Sequence, residues 1–147
     1  MPELSEGEAW RLLAERRAAG ARISQAYAAQ DDIVFDANPS RGVPRLLRGR
    51  TVVAAHRRGK YLWLELDQRP WPLLHFGMTG SLSEYREPSE RPSYCKLELT
   101  LEDGWRLGFR NVRRLGRVRL LQDPTTVPPV SRLGMDPLID LPDAVAF

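Results

Sequence analysis

The chain has 147 residues, 42% apolar and 28% charged, and its 22 basic and 19 acidic side chains leave a net charge of +3. That length suits one domain with a substantial core, no run approaches the roughly 20 apolar residues of a membrane span, and the acidic start (Glu3, Glu6, Glu8) is unlike a secretory signal. One cysteine, Cys95, excludes an internal disulfide framework, and two histidines leave too few ligands for a zinc cage, so a metal-free protein of a reducing cytoplasm is expected. A monomer is expected as well.

Ser5 followed three residues later by Glu8 is a capping-box pattern, which predicts a helix starting near Glu6. Trp10, Leu13 and Ala14 supply its apolar stripe, and Gly20 is a natural stop. Residues 23–27 read as a strand, and residues 44–49 as a short helical turn carrying Leu46 and Leu47. From Thr51 onward the chain reads as β. Residues 51–58 and 61–66 flank Gly59-Lys60, which suits a two-residue hairpin. Residues 73–78 and 81–85 are expected strands joined near Gly80, and 87–92 a polar, proline-bearing loop. Cys95, Leu97, Leu99 and Leu101 alternate with polar residues, the period of a half-buried strand. Asp103-Gly104 turns the chain into the alternating Trp105, Leu107 and Phe109, and residues 115–121 supply one more strand. The expected fold is mainly β: an antiparallel two-layer sandwich or barrel of about eight short strands, with an N-terminal helix and a short second helix. Residues 1–122 form this domain, and the proline-rich residues 123–147 read as a connector.

The basic residues are unevenly spread. Arg41, Arg45, Arg48, Arg50, Arg57, Arg58 and Lys60 fall between Asp36 and Glu65 with no acid among them. Arg106, Arg110, Arg113, Arg114, Arg117 and Arg119 fall between Asp103 and Asp123 in the same way. Two such blocks on an otherwise acidic chain point to a polyanionic partner, against the plainer reading of solvated strand faces. Removal of Met1 would expose Pro2 as a secondary amine, able to attack an electrophilic carbon and collapse to an iminium ion. An α-amino group titrates roughly 2.5 units below a lysine, so far more of it is neutral near pH 7. Lys60 sits at the expected hairpin tip, either as an edge lysine that discourages aggregation or as a phosphate contact or proton donor. It has no nucleotide-loop frame around it. His75 and Met78 stand among glycines that permit a tight bend, and Arg113, Arg114 and Leu115 occupy a loop between strands.

In this order, Pro2-Glu3-Leu4-x-Glu6-x-Glu8, Arg58-Gly59-Lys60-Tyr61-Leu62, His75-x-Gly77-Met78-Thr79-Gly80, Arg113-Arg114-Leu115-Gly116 and Leu133-Gly134-Met135-Asp136-Pro137-Leu138 resemble the Fpg/Nei family. These are the formamidopyrimidine-DNA and endonuclease VIII-type glycosylases, and the resemblance runs almost the whole length of the chain. It implies base-excision repair: removal of oxidised bases, here of the purine branch, from damaged double-stranded DNA, then β,δ-elimination at the abasic site. It also implies a bacterial-type cytoplasm with the protein at the nucleoid, no membrane, and no cofactor in this chain. Carried over by position, Pro2 is the nucleophile that attacks C1′ and forms the Schiff base. Glu3 is the general acid–base residue that opens the deoxyribose, and Glu6 organises the N-terminus. Lys60 grips phosphate and donates a proton in elimination, and His75 contacts phosphate. Met78 and Arg113 fill the hole left by the extruded nucleotide, Leu115 is the wedge, and Arg114 belongs to the same DNA-facing motif.

The sequence departs from the family pattern in several places. Ser5 and Gly7 replace a usual proline and aliphatic residue, which implies a less rigid N-terminus. Leu115 stands for the phenylalanine common in the formamidopyrimidine branch, and Ser93-Tyr94-Cys95-Lys96 stands where a DNA-touching histidine is frequent. The family continues into a helix–two-turns–helix domain and usually a zinc finger, so residues 123–147 are expected to lead towards a half absent from this sequence. A chain of this extent alone is expected to be weakly active or inactive. The alternative reading is a non-catalytic nucleic-acid-binding β-domain that kept the fold, and a third is a structural β-domain with a protein partner.

Overall fold

The computed structural model describes residues 5–36, 40–77, 80–113 and 116–122. Pro2, Glu3, Met78, Arg114, Leu115 and the expected connector 123–147 lie outside the described residues.

Helix α1 (Glu6–Ala18) starts where the Ser5/Glu8 pattern places it, with the Ser5 hydroxyl accepting the Glu8 amide at 3.1 Å. Glu6 and Glu8 in the first turn and Arg16 and Arg17 in the last suit the helix dipole. The reciprocal half of the capping box does not form, because Arg11 and Arg57 take the Glu8 carboxylate. Ala14 and Ala18 are buried on the inner face, and Trp10 and Leu13 pack beside them.

The remaining elements are β1 (Ile23–Ala28), α2 (Val43–Leu47), β2 (Val52–Arg58), β3 (Tyr61–Leu66), β4 (Trp71–His75), β5 (Gly80–Tyr85), β6 (Cys95–Leu101), β7 (Arg106–Asn111) and β8 (Arg117–Leu121). The strands form two four-stranded antiparallel sheets, ordered β1-β6-β7-β5 and β2-β3-β4-β8. The expected two-layer sandwich with its two helices is the observed fold. Between the layers, Ile23, Leu99, Leu101 and Phe109 belong to one core with Leu62, Leu64, Leu74 and Val118. Each such side chain contributes about 1.5–3 kcal/mol by leaving water.

The β2–β3 hairpin has the expected register: Arg58 pairs with Tyr61 across Gly59-Lys60, and Gly59 supplies a φ of +60°. Lys60 stands exposed at the tip. β4 and β5, adjacent in sequence, lie in different sheets, as do β7 and β8, so the chain crosses between layers after β4 and crosses back after β7.

Two outward faces are covered rather than solvated. On β6 the predicted alternation holds for Cys95, Leu97, Leu99 and Leu101, yet outward Glu98 is only 2% exposed. Tyr85 donates to it at 2.6 Å, Arg91 at 3.0 Å and Arg106 at 3.2 Å, closing a network over the sheet. Burial pushes the Glu98 carboxyl upward, but its bonds from Arg91 and Tyr85 outweigh that and hold it below the usual carboxylate range. On the other sheet, Trp63 and Leu73 form a second buried cluster with Tyr61, Trp71 and Leu121. Burial also pushes the Cys95 thiol up to about 11, so it stays protonated at neutral pH.

Candidate active-site cleft

A cleft of about 520 Å³ opens where the first turn of α1 meets the tip of the β2–β3 hairpin. Glu6 and Gly7 line it from the helix, Lys60 and Arg57 from the hairpin, and Phe76 and Gly77 from the crossover after β4. Trp10 stacks on Phe76 with ring centroids 4.3 Å apart, and Phe76 meets Phe109 edge-on at 5.1 Å. This aromatic relay ties the floor of the cleft to the core.

The two walls are held by a buried ion pair. Arg57 donates from Nε to Glu8 Oε1 at 3.1 Å and from Nη1 to the Gly59 carbonyl at 2.8 Å. Arg11 donates to the other carboxylate oxygen of Glu8 at 2.6 Å. One guanidinium therefore joins the helix to the turn that carries Lys60. The hydrogen bonds from Arg11, helped by Arg57, hold the Glu8 carboxyl below the usual carboxylate range despite its burial. Farther along, Glu15 accepts the Ala55 amide at 3.1 Å, so α1 is stitched to β2 at a second point. Gly7 gains a reason here: a Cβ in its place would stand 3.1 Å from Arg57 Cδ.

His75 lies beside this cleft rather than in it. It is half-buried in a hollow of about 40 Å³ shared with Tyr61, Arg117 and Arg119, and its ring packs on Tyr61 at 4.6 Å. Burial, then the charges of Lys60, Arg117 and Arg119, hold its pKa below the ordinary histidine value. The imidazole is neutral at pH 7 and offers one donor and one acceptor rather than a fixed charge.

Of the sequence-predicted residues that the structure describes, Glu6 and Lys60 share the cleft, His75 adjoins it, and Arg113 is exposed on the crossover after β7. The basic blocks are only partly available to a polyanion. Arg57 serves Glu8, Arg106 serves Glu98, and Arg117 and Arg119 both pair with Asp36. Sequence reasoning missed the Glu8–Arg57 clamp, since Glu8 served as a helix cap and Arg57 as one more basic residue. The only local signal was Arg11 three residues after Glu8.

A sandwich whose N-terminal helix and basic hairpin face one aromatic-floored cleft defines a domain class that known proteins share. The chain belongs to the formamidopyrimidine-DNA glycosylase N-terminal domain family, whose model matches residues 1–118. A formamidopyrimidine-DNA glycosylase of Arabidopsis thaliana is 39% identical over 154 residues, covering 95% of this chain and 39% of that protein. One from Paracoccus denitrificans is 33% identical, covering 95% of this chain and 52% of its own length. The Lactococcus lactis enzyme, solved non-covalently bound to DNA containing an AP site, superposes with a TM-score of 0.75 at 24% identity, over 89% of this chain and 49% of that one. At that identity the likeness speaks for the fold. The chain thus spans about half, or less, of the length of these relatives.

Proposed function

We propose that this chain supplies the catalytic half of a base-excision repair DNA glycosylase with AP-lyase activity, acting on oxidised purines in duplex DNA. The observation that carries this reading is the cleft itself. It brings the helix that follows the N-terminus against the Lys60 hairpin and fixes the two with the buried Glu8–Arg57 pair. Pro2 stands four positions before Glu6, which lines the cleft. Family membership over residues 1–118 supports the same reading, as do relatives described as formamidopyrimidine-DNA glycosylases and one solved on AP-site DNA.

In the proposed reaction the free Pro2 amine attacks C1′ of the damaged nucleotide as the glycosidic bond breaks and the base departs. Glu3 shuttles the proton that opens the deoxyribose ring, leaving an iminium between Pro2 and C1′. The iminium acidifies C2′, and β- and then δ-elimination expel the 3′ and 5′ phosphates. Lys60, at the hairpin tip, binds phosphate and donates a proton to a leaving group. Glu6 orders the first turn, His75 contacts phosphate, and Met78, Arg113, Arg114 and Leu115 occupy the gap in the duplex. A pre-formed abasic site spares both base extrusion and glycosidic cleavage, so this chain alone is expected to react there far better than at an intact damaged base.

Borohydride trapping on abasic duplex DNA tests the reading, beside an intact mass that establishes whether Met1 is removed. The expected result is a covalent adduct with wild type and none with Pro2→Gly. Equal, background trapping by the two proteins, with Met1 absent, would leave a nucleic-acid-binding domain without the lyase chemistry.

A further inference from the structure

In the first basic block, Arg57 is taken up inside the fold, but Arg41, Arg45 and Arg48 are not. All three are exposed, and among the described residues none of their side chains has a hydrogen-bond or ion-pair partner. Arg41 belongs to the 3-10 turn Ser40–Gly42, Arg45 to α2, and Arg48 caps the C-terminus of α2. Val43 and Leu47 bury the inner side of this short helix in the core. Steps of four and then three positions place the three arginines on one face, turned away from Val43 and Leu47. At about 1.5 Å per residue the row is about 10 Å long. Arg22, whose guanidinium lies beside Gly49, extends it, tied only by an exposed 3.7 Å pair with Glu102. The row is remote from the cleft. Gly49 donates to the Ile23 carbonyl and Ile23 to the Arg50 carbonyl, each at 2.7 Å, so α2 ends where β1 and β2 begin. From there β2 runs through Val52–Arg58, about 20 Å, to the hairpin that carries Lys60.

We propose that the outer face of α2 is a second surface for double-stranded DNA, which holds an undamaged segment by its phosphates while the cleft addresses a damaged one. This goes beyond the function proposed above and needs none of its lyase chemistry. Like charges at helical spacing repel one another, a strain that a polyanion relieves. Duplex DNA carries one charge per about 1.7 Å of axis, so a row of about 10 Å faces about six phosphate charges. Each guanidinium is always charged, and its fork takes phosphate oxygens in pairs. Composition decides between DNA and a protein partner. The row contains no acid, and Leu46 is the one exposed large apolar side chain of α2. A protein interface is built around an apolar centre, whereas a DNA interface is polar and strongly positive.

The test is a bridging assay in which the 147-residue chain is bound to an undamaged duplex on beads and offered a second, labelled undamaged duplex. Wild type is expected to capture the second duplex. Arg41→Gln, Arg45→Gln and Arg48→Gln combined should stay on the beads and capture about tenfold less. Made on a Lys60→Ala background, the same changes should lower the log–log salt slope of duplex binding by about 2.7, the share of three phosphates. Arg→Lys at the three positions keeps the charges and should keep bridging, which separates lost charge from lost structure. Circular dichroism establishes that each variant is folded. If the triple glutamine variant does not fold, Arg45→Gln decides alone, with an expected slope change of about 0.9. A glutamine variant that bridges like wild type overturns the proposal. So does a wild type that never bridges although Lys60→Ala weakens its binding, and both results leave the proposed function intact. Duplex binding that the α2 variant abolishes and Lys60→Ala leaves untouched upholds the α2 surface and counts against the cleft. A row that binds polyglutamate and no duplex overturns the proposal in favour of an acidic protein partner.

Discussion

Arg57 reaches from the β2–β3 hairpin to Glu8 in the first turn of α1, donating at 3.1 Å to a carboxylate that is itself buried. The same guanidinium holds the Gly59 carbonyl at 2.8 Å, so the turn bearing Lys60 and the helix leading from the N-terminus move as one unit. Arg57→Ala would leave the Glu8 carboxylate to Arg11 and an open space beneath the hairpin. Removing one member of a buried pair costs about 3 kcal/mol at the low end of the usual range. For a domain of this size that is a fall of roughly 10 °C in melting temperature. Arg57→Lys keeps the charge but offers one nitrogen to two acceptors, so it should recover only part of the loss. Thermal melting by circular dichroism checks both, and trapping yields measured below the melting point should fall in the same order.

Lys60 separates the plain reading of the hairpin from the functional one. An edge lysine that only discourages aggregation can be replaced without consequence for DNA. A lysine that grips phosphate cannot. Lys60→Ala is expected to weaken binding to damaged and undamaged duplex alike and to reduce the log–log salt slope by about 0.9, the share of one phosphate. The measurement is a salt titration of affinity with both proteins; an unchanged slope would return Lys60 to the edge-strand role.

The elements governed by near neighbours were legible in the sequence. Ser5 starts α1 because its hydroxyl caps the Glu8 amide, and Gly59 closes the hairpin because only the two-residue turn joins β2 to β3 in register. The inner face of β6 follows from its period of two. Hidden were the relationships that depend on the partner's place in space. Glu8 meets Arg57 across 49 positions, and Asn111 meets Phe76 across 35. Glu98 stands at an outward position on β6, and no local pattern says that Arg91 and Arg106 will close over it. Nor does the sequence separate a basic residue bound to an internal carboxylate from one left for DNA: Arg117 and Arg119 share a block with Arg113, yet both serve Asp36. Lys60 and Glu6 were legible as candidate site residues through the family motif; that they line one cleft was not, because the Glu8–Arg57 pair that joins helix to hairpin is not part of the motif.

The phosphate contact proposed for His75 predicts that DNA binding depends on pH. In the free protein, burial and the neighbouring Lys60, Arg117 and Arg119 hold its pKa below the ordinary value. A phosphate drawn against the ring favours the imidazolium and raises that pKa, so binding takes up a proton. Affinity is therefore expected to strengthen as pH falls from about 8 to about 6, and His75→Gln should flatten the profile. Anisotropy titrations at constant ionic strength read both. A wild-type profile as flat as that of the variant would remove His75 from the phosphate contacts.

Acid should destabilise the fold through three carboxylates. Hydrogen bonds from Arg11 lower the pKa of Glu8, and those from Arg119 lower that of Asp36. Glu98 is lowered too, its burial outweighed by its bonds from Arg91 and Tyr85. In the unfolded chain these groups titrate near 4. Between that value and the lower folded values the unfolded state binds more protons, so stability falls as pH falls. The contribution is fully present above about pH 5 and is lost as the pH drops through the folded values. Glu98→Gln isolates the most deeply buried of the three. At pH 7 it leaves Arg91 and Arg106 facing a neutral amide and should cost about 3–5 kcal/mol. As the pH falls through its folded value the wild-type carboxylate becomes protonated as well, and the two melting curves should converge. Melting temperatures taken across this range decide the matter, and a constant gap between the proteins would mean that the Glu98 charge contributes nothing to the network.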